Sequence, residues 1–207
     1  MKINFLQCFI IAGLTIFPLS LTFGGEIATD TTVVLTEAIQ KQVIGELKGK
    51  FHFTDDRGQH ILILAREYNV DTSGKESIVL RVIQFQLTKQ EWKQEWIIKD
   101  FVECQNLDIS GDFCTNLTSF SDLDTNNIVE TTIAYQTICA GGIEPKSTKV
   151  IMRQGADKYA VRGESLVQID DKNTFGGTFK ADQQLDSLPK FKRQLVNSWK
   201  QAAGVTR

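Results

Sequence analysis

Histidine is nearly absent from this chain: of 207 residues, only His52 and His60 carry an imidazole. Neither has a cysteine or a second histidine at metal-ligand spacing, which excludes the histidine-based zinc motifs. There is no Gly-x-Ser-x-Gly, no glycine-rich phosphate loop and no His-Glu-x-x-His. The local signatures of α/β-hydrolases, nucleotide-binding folds and zinc peptidases are therefore missing. A dispersed triad, whose members meet only in the fold, leaves no such local mark. No run of Lys and Arg forms a basic patch and the formal net charge is −2, so nucleic acid is not an expected partner.

Charge is missing altogether between Lys2 and Glu26, and Phe5 to Phe17 is almost wholly apolar. A short basic start, an apolar stretch of this length and a small-residue exit are the parts of a secretory signal, expected over 1–24. Cleavage after Ser20 or Gly24 puts the mature N-terminus between Leu21 and Glu26. The apolar run is short and lacks a basic stop-transfer flank, which disfavours a permanent membrane span; an uncleaved anchor is the competing reading. The expected location is periplasmic or secreted. Loss of Lys2 leaves 22 basic residues against 25 acidic, a balance of −3. Cys8 goes with the leader. Cys104, Cys114 and Cys139 then stand in an oxidising compartment, where one bridge and one left-over thiol are expected.

Residues 25–207 have the length and balance of one globular domain, with 42% hydrophobic and 23% charged residues over the chain. Thr29–Thr36 reads as a loose leader, and Thr36–Leu47 fits either a helical stripe or a loop feeding a strand. From Phe51 onward the pattern is β. Lys50–Thr54 alternates into the turn Asp55-Asp56-Arg57-Gly58, and His60–Ala65 is a nearly continuous apolar run. A second turn lies within Tyr68–Lys75. Ser77–Leu87 alternates, and Glu91–Ile98 carries Trp92 and Trp96.

The second half repeats the first. Phe120-Ser121-Asp122 answers Phe53-Thr54-Asp55, Lys149-Val150-Ile151 answers Arg81-Val82-Ile83, and Tyr159 stands where Trp92 stands, at offsets of 67 or 68 residues. A constant offset is the mark of duplication. The predicted fold is mainly β (a β-rich α+β domain), with two related antiparallel four-strand units at about 43–100 and 108–170. A C-terminal amphipathic helix is predicted over 189–201, with Asp186-Ser187 to cap it, Pro189 at its start and an apolar stripe of Phe191, Leu195 and Trp199.

One stretch has a spacing that suits chemistry. Asp122, Asp124 and Asn126 alternate, followed by the Ile128 carbonyl and Glu130, so that oxygens converge as calcium requires. Such loops normally have glycine where Asn127 stands; asparagine tolerates the left-handed backbone needed there. The competing reading is a plain turn, with Asp and Asn side chains bonding nearby amides. Calcium is the one cofactor this pattern admits. Trp92 and Trp96, with Tyr135 and Tyr159, are candidates for a sugar-stacking platform. At alternating spacing Trp92 and Trp96 share one face, where aromatic side chains more often serve as core or sheet cover.

The cysteines have two open connectivities. Cys104 precedes the acidic segment and Cys139 ends the strand after it, so neighbouring strands of the second unit would pair them and leave Cys114 free. A Cys104–Cys114 bridge is the alternative.

The chain also resembles a family of exported bacterial proteins loosely catalogued as surface polysaccharide biosynthesis proteins. The resemblance runs from about Lys50 to the C-terminus. It rests on Cys104, Asp108-Ile109, Ser121-Asp122-Leu123-Asp124, Glu130, Tyr135, Cys139 and Pro145, then on Lys149-Val150-Ile151-Met152 and Lys158-Tyr159-Ala160-Val161-Arg162-Gly163. The terminal helix with Phe191 and Trp199 fits too, whereas Cys114 and Asn127 depart from the pattern. No reaction is established for that family. It implies an envelope-associated protein linked to surface polysaccharide, with an envelope glycan or envelope protein as partner. The expected function is a non-catalytic binding or structural domain. The alternative is a polysaccharide hydrolase or transferase using a carboxylate pair such as Asp122 and Glu130.

Overall fold

A computed structural model describes residues 25–170 and 172–205. The expected leader, with Cys8, lies outside the described residues. The first sheet is a meander of β1 (Glu46–Asp55), β2 (Gly58–Val70), β3 (Glu76–Thr88) and β4 (Glu91–Cys104). In the second, β5 (Asp108–Phe113) and β6 (Ser119–Ser121) pair one after the other along β7 (Glu130–Ala140). The meander continues through β8 (Ser147–Gln154) and β9 (Asp157–Glu164). A small hairpin, β10 (Leu166–Gln168) with β11 (Thr174–Gly176), follows, and β12 (Phe179–Ala181) returns to pair with β9. Every pairing is antiparallel. Both halves thus follow one plan, as the offset predicts: β1 to β4 answer β5/β6, β7, β8 and β9. The difference is that β1 is continuous while its counterpart is interrupted by a 3-10 turn at Thr115–Leu117.

The two sheets bury one face each against the other. Leu62, Leu64, Leu80, Val82, Trp96 and Ile98 meet Phe113, Phe120, Ile133, Tyr135 and Ile151 in one core. The outer faces are covered as well. On the second sheet lies α2 (Pro189–Ala202), whose Phe191, Leu195 and Trp199 pack on Ala134, Val150, Met152 and Val161. Trp199 also donates its indole N–H to Thr148 O at 3.1 Å. Burying a side chain of this class contributes about 2–3 kcal/mol, so the apolar stripe holds the helix in place. On the first sheet, Ile39 of α1 (Glu37–Gln40), with Val33, Leu35 and Val43, covers Ile61, Ile63, Ile83 and Phe85. Covering on both faces explains why His60–Ala65 is apolar without alternation.

Several expectations need correction. The segment before β1 is not a loose leader: it bridges Asp30 to His52 and Glu26 to Ser121 and covers the first sheet. Its two readings over 36–47 both hold in part, since a four-residue helix is followed by a strand from Glu46. Asp186 and Ser187 do not cap α2; they belong to the 3-10 turn Gln183–Ser187, and Leu188 stands at the cap with Pro189 at N1.

Trp92 and Trp96 do not share a face. Gln84 pairs with Trp96 and Phe85 with Gln94, leaving Glu95 as an extra residue in β4. One extra residue reverses the alternation downstream of it. Trp92 therefore lies against the outer cover while Trp96 is 6% exposed in the inter-sheet core. Tyr135 is buried between the sheets and Tyr159 lies under α2, its ring 5.4 Å from that of Phe191. The described residues present no stacking platform from these four aromatics.

Cys104 and Cys139 are bridged, with Cα atoms 5.4 Å apart, and Cys114 is free. The route differs from the expected one. Cys104 ends the first sheet and Cys139 lies in β7, so the bridge ties the two sheets rather than two strands of one unit.

Candidate functional site

The two equivalent turns meet at one end of the sandwich. Asp56 donates its N–H to Asn127 O at 3.0 Å, and Val129 donates its N–H to Asp55 Oδ2 at 3.2 Å. With Gly25–Ile27 they line a cleft of about 390 Å³ whose wall includes Glu26, Asp55, Asp56 and Asp122.

The first turn carries its own counter-charges. Gly58, at φ 115°, closes the two-residue hairpin between β1 and β2. Asp55 Oδ1 lies 2.9 Å from His60 Nε2, and both side chains are sealed from solvent. The Glu95 bulge turns its carboxylate inward, where it accepts from Arg57 Nη1 and from Gln84 Nε2, the latter at 2.7 Å. His60 Nδ1 faces Glu95 Oε2 at 3.5 Å, and the Phe53 ring stacks on the imidazole at 4.9 Å. Gln84 in turn accepts from Thr131 of the second sheet at 3.4 Å. Burial alone would raise the two acids. The bonds from His60 and Val129, with the imidazole's charge, instead hold Asp55 at about 2. His60, Gln84 and Arg57 likewise hold Glu95 at about 2. Burial opposes protonation of His60, but Asp55 and Glu95 outweigh it and raise its pKa. His60 is thus not the isolated histidine of the sequence. Asp55 reaches it across the β1–β2 hairpin, and Glu95 through the bulge in β4.

The second turn has the same place and a different solution. Asp122, Asp124 and Glu130 bring carboxylate oxygens within 4.8 Å of one another. The loop wraps around Asp122, whose Oδ1 and Oδ2 accept from the N–H groups of Asn126 at 3.0 Å and Asn127 at 3.1 Å. Asn126 donates to Asp124 Oδ2 at 3.0 Å, and its Oδ1 accepts the Ile128 N–H at 2.8 Å. Asn127 takes the left-handed conformation at φ 61°, as expected of it, and so does Thr125 at 62°, an unfavourable place for a β-branched residue. Of the five loop residues, the side chains of Asp122, Asp124, Asn126 and Glu130 converge. Ile128 lies on the loop with its N–H turned to Asn126.

Glu130 is 0% exposed and accepts from the Leu123 N–H at 2.6 Å and from Gln154 Nε2 at 2.6 Å. Burial pushes its pKa up to about 7; the Leu123 N–H opposes this, and the charges of Asp124 and Asp122 add to it. The acids of this loop are therefore not all solvated: Asp124 is exposed, Asp122 half-buried and Glu130 buried. Among the described residues no Lys, Arg or His lies within salt-bridge distance of the three carboxylates. Gln154 Nε2 sits where their oxygens converge, 3.2 and 3.1 Å from the Asp124 oxygens, 3.4 Å from Asn126 Oδ1 and 2.6 Å from Glu130. One amide has two hydrogens to offer four acceptors. Rotating that amide by half a turn replaces its nitrogen with a further oxygen ligand. A hard cation of the calcium type fits this donor set: oxygen ligands only, several carboxylates and an amide oxygen.

No family model, curated protein or solved structure matches the chain.

Proposed function

We propose that this chain is an exported, envelope-associated binding domain without catalytic activity, and that the Asp122 loop binds calcium. One observation carries the calcium reading: three carboxylates converge within 4.8 Å with no cationic partner among the described residues. Keeping these charges close without compensation is costly: burial raises the pKa of Glu130 most, and the charges of Asp124 and Asp122 raise it further. A divalent cation removes that cost. Bound there, it would order the loop beside the inter-turn cleft. Export and association with surface polysaccharide rest on the N-terminal pattern and on the family resemblance.

The carboxylate-pair alternative draws on one observation, since a pKa near 7 suits a general acid. Glu130 is nevertheless sealed, and both of its oxygens accept hydrogen bonds. Asp122 spends its oxygens on the Asn126 and Asn127 amides. These features support binding.

Calcium titration by calorimetry on the mature chain tests the metal reading. Saturable binding that disappears in Asp122→Ala with Asp124→Ala is the expected result. No heat and no thermal shift at millimolar calcium would refute it. Glycan hydrolysis by the wild type that vanishes in Glu130→Gln would instead establish the enzyme.

A further inference from the structure

The sequence has no basic patch, yet the fold assembles one. Strand register places Lys149 of β8 opposite Arg162 of β9, and Arg162 opposite Lys180 of β12. Four residues along, beyond the apolar pair Ile151 and Ala160, Arg153 is opposite Lys158. Residues in register share a face, so five cations occupy one side of three adjacent strands. This is the side that faces the first sheet, but the first sheet ends above it. Its edge strand β4 meets this face through Asp100, which accepts from Tyr135 and Lys149. Past that edge, Lys158, Arg162 and Lys180 are exposed.

Like charges directly opposite one another destabilise a sheet. Here two such rows share one face, with Ile151 and Ala160 between them, in a chain of net charge −2. Local compensation is partial. Asp100 pairs with Lys149, and Asp182 pairs with Arg162 at 2.6 Å. Lys158, Lys180 and Arg153 have no carboxylate within salt-bridge distance among the described residues. The Arg153 guanidinium lies 5.1 Å over the Trp96 ring, and its Nε has no hydrogen-bond partner. Burial lowers the pKa of Lys158, and the nearby Arg162 and Arg153 lower it further.

We infer that the face formed by Lys149, Arg153, Lys158, Arg162 and Lys180 binds an acidic polysaccharide. The inference rests on the reading of the chain as an envelope-glycan protein and supplies the site that the tryptophans do not. The cations spread over about 10 Å across the strands and about 13 Å along them, which suits a polymer carrying charges at intervals rather than one compact anion. Single-stranded nucleic acid also needs exposed aromatic rings on which bases stack. On this face the nearest aromatics, Trp96 and Tyr135, are buried. Contacts of this kind are weak singly and gain strength by repetition along a polymer, and salt screens them.

The test measures binding of polygalacturonate to the mature chain in EDTA, so that the outcome does not depend on the Asp122 loop. Neutral dextran and single-stranded DNA of matched charge are the comparators. We expect polygalacturonate to bind at low salt and to weaken as salt rises, with no binding to dextran and weaker binding to DNA. Arg162→Glu with Lys180→Glu should weaken it by about tenfold or more. Both side chains are exposed, and an unchanged circular dichroism spectrum and melting temperature would show that the fold is kept. Absence of polygalacturonate binding at low salt, or binding indifferent to the charge reversal, overturns the inference. Equal or tighter binding of DNA overturns the polysaccharide assignment. Export is measured separately, from the N-terminus of material recovered outside the cytoplasm. An exported chain that ignores polygalacturonate defeats this inference alone, whereas an intact Met1 on cytoplasmic protein defeats the envelope reading.

Discussion

Asp55 accepts a hydrogen bond from the backbone of Val129 at 3.2 Å, across 74 residues, and so joins the turn of one half to the turn of the other. The same carboxylate holds His60. Removing one member of a sealed charge pair strands the other and costs about 3–5 kcal/mol. Asp55→Asn should lose about that much stability at pH 6 in urea unfolding. Asp55 and Glu95 are depressed to about 2 from 3.8 and 4.5. Depressed acids stabilise above their unfolded pKa, and that contribution is lost as pH falls. His60 has the opposite sign: its pKa is raised, so its contribution is full below 6.5 and fades as pH rises through the folded value. Wild type should therefore lose stability steeply from about pH 4.5 to pH 2, and Asp55→Asn less steeply. Parallel curves would refute the assignment.

Glu130 gives a prediction of unusual sign. Its raised pKa means that ionisation above about 7 destabilises the calcium-free protein. Glu130→Gln keeps the shape and removes the charge. In EDTA at pH 8 it should unfold at higher urea than wild type, by about 1–3 kcal/mol, and the difference should shrink toward pH 5. The same variant should lose the calcium-dependent rise in melting temperature. A variant less stable than wild type in EDTA at pH 8 would contradict this account.

The two β4 tryptophans should differ. Trp96→Ala empties a site in the inter-sheet core and should cost about 3–5 kcal/mol. Trp92, half-buried under the N-terminal cover, should cost less than half as much. Equal losses in denaturant unfolding would argue against the reversal of faces at Glu95.

The inter-sheet bridge closes a loop 35 residues long. Chain-entropy reasoning gives about 3–4 kcal/mol for a loop of that length. Cys104→Ser with Cys139→Ser should lower stability by about this amount, while Cys114→Ser should leave it little changed. Recovery of a Cys104–Cys114 peptide from non-reducing mapping would contradict the pairing.

Periodicity carried most of the fold. The repeat offset foretold the double meander, and the apolar stripe of Phe191, Leu195 and Trp199 foretold α2. The loop of Asp122, Asp124, Asn126 and Glu130 was legible because all its members lie within nine residues. What escaped has physical causes. Glu95 shows no sign of being an extra residue until its neighbours are paired, so spacing alone puts Trp92 and Trp96 on one face. The His60 cluster draws on β1, β2, β3 and β4, and the basic face on three strands. Neither leaves a local pattern, because cross-strand register is invisible before the strands meet.

The two turns also differ in when they can be finished. The first holds Arg57, His60 and Glu95 in the same polypeptide, so its charges are balanced as soon as β1 to β4 come together. The second has the acids but not the cation. If calcium is what it takes, that half completes only in a medium that supplies the ion. One turn is then ready on folding and the other waits for its ion, so the stiffness of the sandwich at that end would report the calcium level around the protein.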